Sequence, residues 1–290
     1  MLTGLFVPLI TPLATHGSVA LAALETLAHE VLDDGATGLV ALGTTGEPST
    51  LDQAERRAVV EVCARVARER SAPLVVGAGS NDTAGSAAAL RDLATWPAAV
   101  AALVPVPYYT VPSEEGVVAH LTRLAGCSPV PLVVYHVPHR TGRTISAATM
   151  LRLAATPGIA GVKLAVRALD ADASLLLAAA PPDFAVLAGD DHVAPAVLAL
   201  GGAGAIMASA HVSTKDYAGL VGAWRAGEAD RGRALGRTLT ALSAALFAEP
   251  NPTVIKGVLH AHGRIPTPAV RLPLLPASAT AVAAALAHCP

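Results

Sequence analysis

Lysine is scarce in this 290-residue chain: Lys163, Lys215 and Lys256 are the only three among 20 Lys plus Arg. Arginine carries nearly all of the positive charge, so the position of each lysine is informative. Charged residues make up only 14% of the chain, the formal net charge is −2, and no cluster of five or more basic residues occurs. Nothing therefore offers a footprint for nucleic acid or an anionic membrane. The three cysteines, Cys63, Cys127 and Cys289, are odd in number, far apart and without C-x-x-C spacing, which argues against a disulfide frame and a zinc site. Long hydrophobic runs are missing too. Apolar residues reach 53%, yet Pro, Gly, Asp or Arg interrupts every run before about 18 residues, short of a membrane span. The opening "MLTGLFVPLITPL" has no basic region and carries Pro8 and Pro12, unlike a secretory signal. The expectation is a cytoplasmic protein with small-molecule partners.

What the chain does have is rhythm. Short aliphatic runs bounded by Gly or Pro recur at residues 2–8, 38–42, 74–77, 100–104, 132–135, 159–163, 184–188 and 205–208. Between them, residues 21–32, 53–69, 83–93, 115–124 and 146–154 show helical spacing. Runs without polar alternation are strands buried on both faces, and strands alternating with helices pair in parallel. Eight such units predict an α/β fold, the (β/α)8 TIM barrel, rather than an open doubly wound sheet. Residues 1–225 are assigned to the barrel. Residues 226–290 are assigned to a C-terminal helical region packed on it, with "EPNPT" and "RIPTPAVRLPLLP" as proline-rich connectors.

Active sites of such barrels lie at the C-terminal ends of the strands. At those ends stand "GTTGEPST" (43–50), "PVPYYT" (105–110), "YHVPHRTG" (135–142), Lys163 and "GDDH" (189–192). An ammonium at the end of an apolar strand loses hydration, which brings a neutral, nucleophilic amine within reach near neutral pH. Imine formation with a ketone requires such an amine. A lysine in that place can equally reach solvent or pair with an acid. In "GTTGE", Gly43 and Gly46 permit a tight turn, while Thr44 and Thr45 offer hydroxyl and backbone donors suited to a carboxylate. An ordinary capped loop has the same composition. Tyr135 can move protons if a second hydroxyl supports it, or fill the core. Arg140 can grip a carboxylate with two parallel hydrogen bonds, or lie on the surface.

Together "GTTGE", "PYY", "Y-x-V-P-x-R-T-G", the strand-ending "G-V-K", "G-D-D", "G-G-x-G-x-I" and "E-P-N-P" stand in a familiar order and spacing. The chain resembles, over residues 3 to about 276, the dihydrodipicolinate synthase / N-acetylneuraminate lyase family. The resemblance implies a metal-free, cofactor-free class I aldolase on a (β/α)8 barrel, assembled as a homotetramer (a dimer of dimers). It implies that Lys163 forms an imine with pyruvate and that Tyr135 is the proton donor and acceptor. Tyr135 would be relayed through Thr45 to a tyrosine from a neighbouring subunit, matching Tyr109. Thr44 and Thr45 would hold the pyruvate carboxylate, with Gly189 and Ile206 lining the site by backbone groups. Arg140 and the second threonine favour the synthase pattern over the lyase pattern. The implied reaction is condensation of pyruvate with a small aldehyde, L-aspartate 4-semialdehyde, to 4-hydroxy-tetrahydrodipicolinate for lysine and diaminopimelate synthesis.

Several positions depart from the family pattern. The lysine is followed by Leu164, Ala165 and Val166 where an acid and then small or hydroxyl residues are common, which implies a missing polar wall beside the imine. His136 and His211 stand where asparagines are usual. In the lysine-feedback pocket Asn81 and Tyr108 are retained, but Gly85 replaces a glutamate, implying weak or absent inhibition by lysine. A paralogue using another aldehyde or 2-keto sugar acid, and a barrel that binds a keto acid without turnover, are the alternatives. A metal reading of His136, His139, Asp190, Asp191 and His192 has the donor types but not a shared helix face. The glycines of "GGAGAIMAS" are expected to let a substrate approach the backbone, with phosphate as the other candidate.

Overall fold

The computed structural model describes residues 2–289. Eight parallel strands close a barrel in chain order: β1 (Gly4–Pro8), β2 (Gly38–Ala41), β3 (Leu74–Gly77), β4 (Ala99–Pro105), β5 (Leu132–His136), β6 (Ile159–Leu164), β7 (Ala185–Ala188) and β8 (Gly204–Ile206). Alternation along each strand sorts its side chains into two cores. Phe6, Val40, Val75, Leu103, Val133, Tyr135, Ala165, Leu187 and Ile206 fill the interior. Val7, Leu39, Val76, Val104, Val134, Val162 and Leu164 face outward against the helices.

Closure depends on two glycines. Gly4 of β1 lies opposite Gly204 of β8, and a Cβ on Gly204 would stand 2.3 Å from the Gly4 carbonyl oxygen. Gly202 is likewise held against Val197, where a Cβ would stand 2.9 Å from a side-chain carbon. Gly202 and Gly204 of "GGAGAIMAS" thus serve the barrel seam and its packing, and they stand at the N-terminal end of β8 rather than at the mouth, which corrects their reading as an approach for substrate.

The outer layer follows from apolar spacing. In α1 (Leu21–Asp33) the buried residues Leu24, Leu27, Ala28 and Val31 recur at helical intervals. In α2 (Gln53–Glu69) Asp52 and Glu55 form a reciprocal capping box that fixes the start. The layer continues with α3 (Thr83–Asp92), α4 (Glu114–Ala125), the single turn α5 (Pro138–Thr141), α6 (Ala147–Ala154), α7 (Ala171–Ala179), α8 (Ala194–Ala199) and α9 (Thr214–Arg225). Beyond α9, α10 (Ala229–Leu246) packs on α8 and α9, and α12 (Ala279–Leu286) packs on α10 and α11 (Thr253–Ala261). Sequence spacing does not reveal α11: Thr253 through Leu259 are all buried, so no polar face marks the helix between its proline-rich neighbours. Among the described residues no helix is long and apolar enough to cross a membrane.

Candidate active site

Strand register makes Lys163 and Tyr135 neighbours, since each is the other's partner across the β5–β6 ladder. Both are buried at the C-terminal ends of their strands, and the Lys163 Nζ stands 4.4 Å from the centroid of the Tyr135 ring. Lys215 pairs with Asp34 and Lys256 with Glu47, but Lys163 makes no ion pair among the described residues. Its amine thus lies over the face of the Tyr135 ring.

Gly189, just past β7, supplies the space for that side chain. A Cβ there would lie 2.6 Å from the lysine Cγ and 3.0 Å from its Cε, so the lysine stem would have to move. Gly189→Ala is therefore expected to slow imine formation with pyruvate by about 100-fold, the cost of roughly 1 Å of misplacement at a reacting atom. Borohydride trapping rates measure this, and a wild-type rate would show that the lysine needs no such clearance. Ile206, 1% exposed, belongs to the barrel interior beneath the same mouth.

The "GTTGE" loop does not lead straight into a helix. Thr44–Gly46 and Pro48–Thr50 form two single 3-10 turns, and α2 begins only after Asp52. The first N–H groups of such a turn have no partner within it, which leaves donors at the threonines. Leu42 and Glu47 bracket the turn with left-handed backbones at φ 55 and 54, strain that persists only where the surroundings enforce it. Gly77 of β3 accommodates the first of these, since a Cβ there would stand 2.1 Å from the Leu42 carbonyl oxygen. Glu47 is buried against the Lys256 ammonium and accepts the Arg271 N–H at 3.0 Å. Thr45 is buried and accepts a hydrogen bond from Asn251 Nδ2 at 3.0 Å, whereas Thr44 is only half-buried. No hydrogen bond joins either threonine to Tyr135 within this chain among the described residues.

Tyr109 stands apart from this cluster. It is the centre of a three-residue turn in which the Thr110 N–H donates to the Tyr108 carbonyl at 2.8 Å, with φ 69 and 89% of its surface exposed. Tyr108 and Val111 beside it are also exposed. Arg140 sits on α5, where Thr141 ties the turn to the Val137 and Arg143 carbonyls; the arginine is exposed and its guanidinium has no hydrogen-bonding partner among the described residues. Partial desolvation, with the Arg167 and Arg140 charges next, holds the exposed His139 below the usual imidazole range. Arg167 therefore joins Arg140 near this rim, a cation the sequence reading did not single out.

Strand parity corrects the expectation for Leu164. Its side chain lies in the outer core with Val166, while small Ala165 faces inward, so no wall beside Lys163 is lost. His136 lies directly across the ladder from Leu164 and also faces the helices, among Met150, Asp170 and Asp172. Burial pushes its imidazole down to about 4. His211 is a backbone latch: its Nε2 accepts the Ile10 N–H at 3.1 Å while Nδ1 donates to the Ala208 carbonyl at 2.8 Å. Burial likewise brings it down to about 4, in keeping with the neutral tautomer that these two bonds require.

The five candidate metal donors do not converge. Asp190 accepts the His192 N–H at 3.1 Å, Asp191 accepts the Ser209 N–H at 2.7 Å, and His139 is exposed. Among the described residues no group of three or more His, Cys, Asp or Glu is placed to share an ion. Asp191 is instead a buried carboxyl near the lysine. Burial pushes it above the usual carboxylate range, against the Ser209 donors and the Lys163 charge. A cavity of about 880 Å3 lies at the opposite ends of the strands, around Pro73, Trp96 and Val100, and includes none of these residues.

Residues 1–287 match the model of the dihydrodipicolinate synthetase family. The chain is 40% identical over 261 residues to the 4-hydroxy-tetrahydrodipicolinate synthase of Acidiphilium cryptum, covering 88% of this chain and 87% of the relative. It is 38% identical over 276 residues to that of Neisseria meningitidis serogroup B, covering 95% and 94%. Among solved structures, dihydrodipicolinate synthase from Thermotoga maritima superposes with a TM-score of 0.95 at 31% identity, covering 99% of this chain and 97% of that one. The chloride-inhibited dihydrodipicolinate synthase of Acinetobacter baumannii, complexed with pyruvate, superposes with a TM-score of 0.94 at 33% identity, covering 99% of each chain. Sequence and barrel agree over nearly the whole length, and the chain belongs to the dihydrodipicolinate synthetase family.

Proposed function

We propose that this chain condenses pyruvate with L-aspartate 4-semialdehyde to 4-hydroxy-tetrahydrodipicolinate, through an imine on Lys163. The observation that carries the reading is the buried Lys163 amine over the Tyr135 ring at the ends of adjacent strands. The amine attacks the keto carbon of pyruvate, and expulsion of one water leaves an iminium. The positive nitrogen withdraws electrons, so a methyl proton departs and the resulting enamine attacks the aldehyde carbon. The acceptor's own amino group, now in the same molecule, then displaces Lys163, closing the ring and freeing the enzyme. Two substrates thus become one product and one water, with no cofactor.

Tyr135 delivers and removes the protons, relayed through Thr45 to Tyr109 of a second subunit. The Tyr109 turn supports this role: a strained backbone presenting an exposed aromatic, flanked by exposed Tyr108 and Val111, suits burial against another chain. Thr44 and Thr45 hold the pyruvate carboxylate, Gly189 and Ile206 line its pocket, and Arg140 takes the acceptor carboxylate. The assembly is a cytoplasmic homotetramer built as a dimer of dimers.

Pyruvate consumption with a panel of aldehydes tests the reading. L-aspartate 4-semialdehyde is expected to give the highest kcat/KM. Faster turnover of another aldehyde would assign a different acceptor, and no consumption with any of them would overturn catalysis.

A further inference from the structure

The sequence offers two threonines at the mouth but nothing that tells their hydroxyl protons where to point. A hydroxyl carries one proton and two acceptor lone pairs, and its rotor turns to suit its neighbours. Thr45 is 3% exposed, and one side of its oxygen is occupied by the Asn251 Nδ2 donor at 3.0 Å. The Thr45 proton cannot occupy that direction, so it points elsewhere.

Asn251 itself lies in the connector between α10 and α11, held from several sides. The Thr253 N–H donates to the Pro250 carbonyl at 2.9 Å, and the Lys256 N–H donates to the Pro252 carbonyl at 2.9 Å. Farther along α11, the Lys256 ammonium donates to Glu47 and to the Ala269 carbonyl, and the Arg271 N–H reaches the other oxygen of Glu47. Two residues of the threonine loop, Thr45 and Glu47, are thereby tied to two residues of the C-terminal region, Asn251 and Lys256. The amide is fixed in register over the hydroxyl.

The other end of that amide sets its orientation. Asn251 Oδ1 is buried without a hydrogen-bond partner among the described residues. Exchanging oxygen and nitrogen would leave two unpaired N–H groups in that place, and buried donors are left unpaired less often than carbonyl oxygens. The present orientation keeps nitrogen toward Thr45.

We infer that Asn251 is a positioning residue of the active site, which fixes Thr45 as a donor toward the substrate carboxylate or the proton relay. The inference rests on the proposed role of Thr45. It makes Thr45 a donor prepared before pyruvate arrives, and it makes the C-terminal region part of the catalytic apparatus.

Asn251→Asp tests the polarity directly. A carboxylate of the same shape can only accept, so it captures the Thr45 proton and reverses the hydrogen bond. Asn251→Asp is expected to lower kcat/KM for pyruvate by about 100-fold, the usual effect of losing one preorganised donor. Asn251→Ala frees the rotor without reversing it and is expected to cost only about tenfold. Both variants are expected to divide their loss between kcat and KM as Thr45→Val does. The Thr45→Val/Asn251→Asp double variant is expected to be no worse than Thr45→Val alone. Melting temperature is measured alongside, so that loss of folded protein is not read as loss of positioning. Asn251→Asp as active as Asn251→Ala, or a loss that persists undiminished in the Thr45→Val background, overturns the inference. Wild-type turnover in Thr45→Val overturns instead the role of Thr45 on which the inference depends.

Discussion

Lys163→Met is expected to abolish the borohydride-trapped pyruvate adduct and to lower kcat/KM on the order of 10^4-fold, the scale seen when a catalytic nucleophile is removed. Methionine has nearly the length of the lysine stem and fits the space cleared by Gly189, so the barrel interior keeps its packing. Lys163→Arg completes the experiment. It retains a cation over Tyr135, but a guanidinium keeps its proton and cannot attack a ketone at neutral pH. If the lysine served only as a charge for the carboxylate, arginine would preserve much of the activity. If it is the nucleophile, arginine is as inactive as methionine. Intact-protein mass after treatment with pyruvate and borohydride separates the two, and an adduct in Lys163→Met would move the imine to another amine.

The strands were legible because a parallel barrel buries both faces, so each strand appears as a bare aliphatic run. β3 matches its run at 74–77, and β6 extends past its run only by Leu164. Lys163 was legible for the same reason, as a rare residue ending such a run. The meaning of Leu164 was also available, since a period of two puts it on the face opposite Lys163. Family comparison at that position obscured what alternation states. Asn251 and Lys256 could not be read locally. Their partners Thr45 and Glu47 lie 206 and 209 residues away, and an asparagine between prolines looks like a turn residue. His211 was hidden similarly, for its acceptor role at the Ile10 N–H spans 201 residues.

That long-range clasp is where the largest loss of stability is expected. Lys256 is fully buried with its ammonium on Glu47, whose side chain is 5% exposed. Burial pulls the lysine below its ordinary range, and Glu47 acts in the opposite direction. Lys256→Met leaves the Glu47 carboxylate out of water with the Arg271 N–H as its remaining donor at 3.0 Å. Breaking a buried pair from one side typically costs about 3–5 kcal/mol. For a chain of this size that lowers the melting temperature by roughly 5–8 °C. Glu47→Gln strands the ammonium instead and is expected to cost a similar amount. The Glu47→Gln/Lys256→Met double variant removes both charges, so it is expected to recover most of the loss, giving a coupling of about 2 kcal/mol or more between the two sites. Strictly additive losses would mean that each residue acts through its other contacts and that the ion pair is incidental. Strong coupling would mean that the barrel loop and the C-terminal region are held together by a charge pair that hydrophobic replacement could match in stability. Keeping the charged pair in that case would serve register, holding Glu47, and with it Thr45, in one place relative to α11.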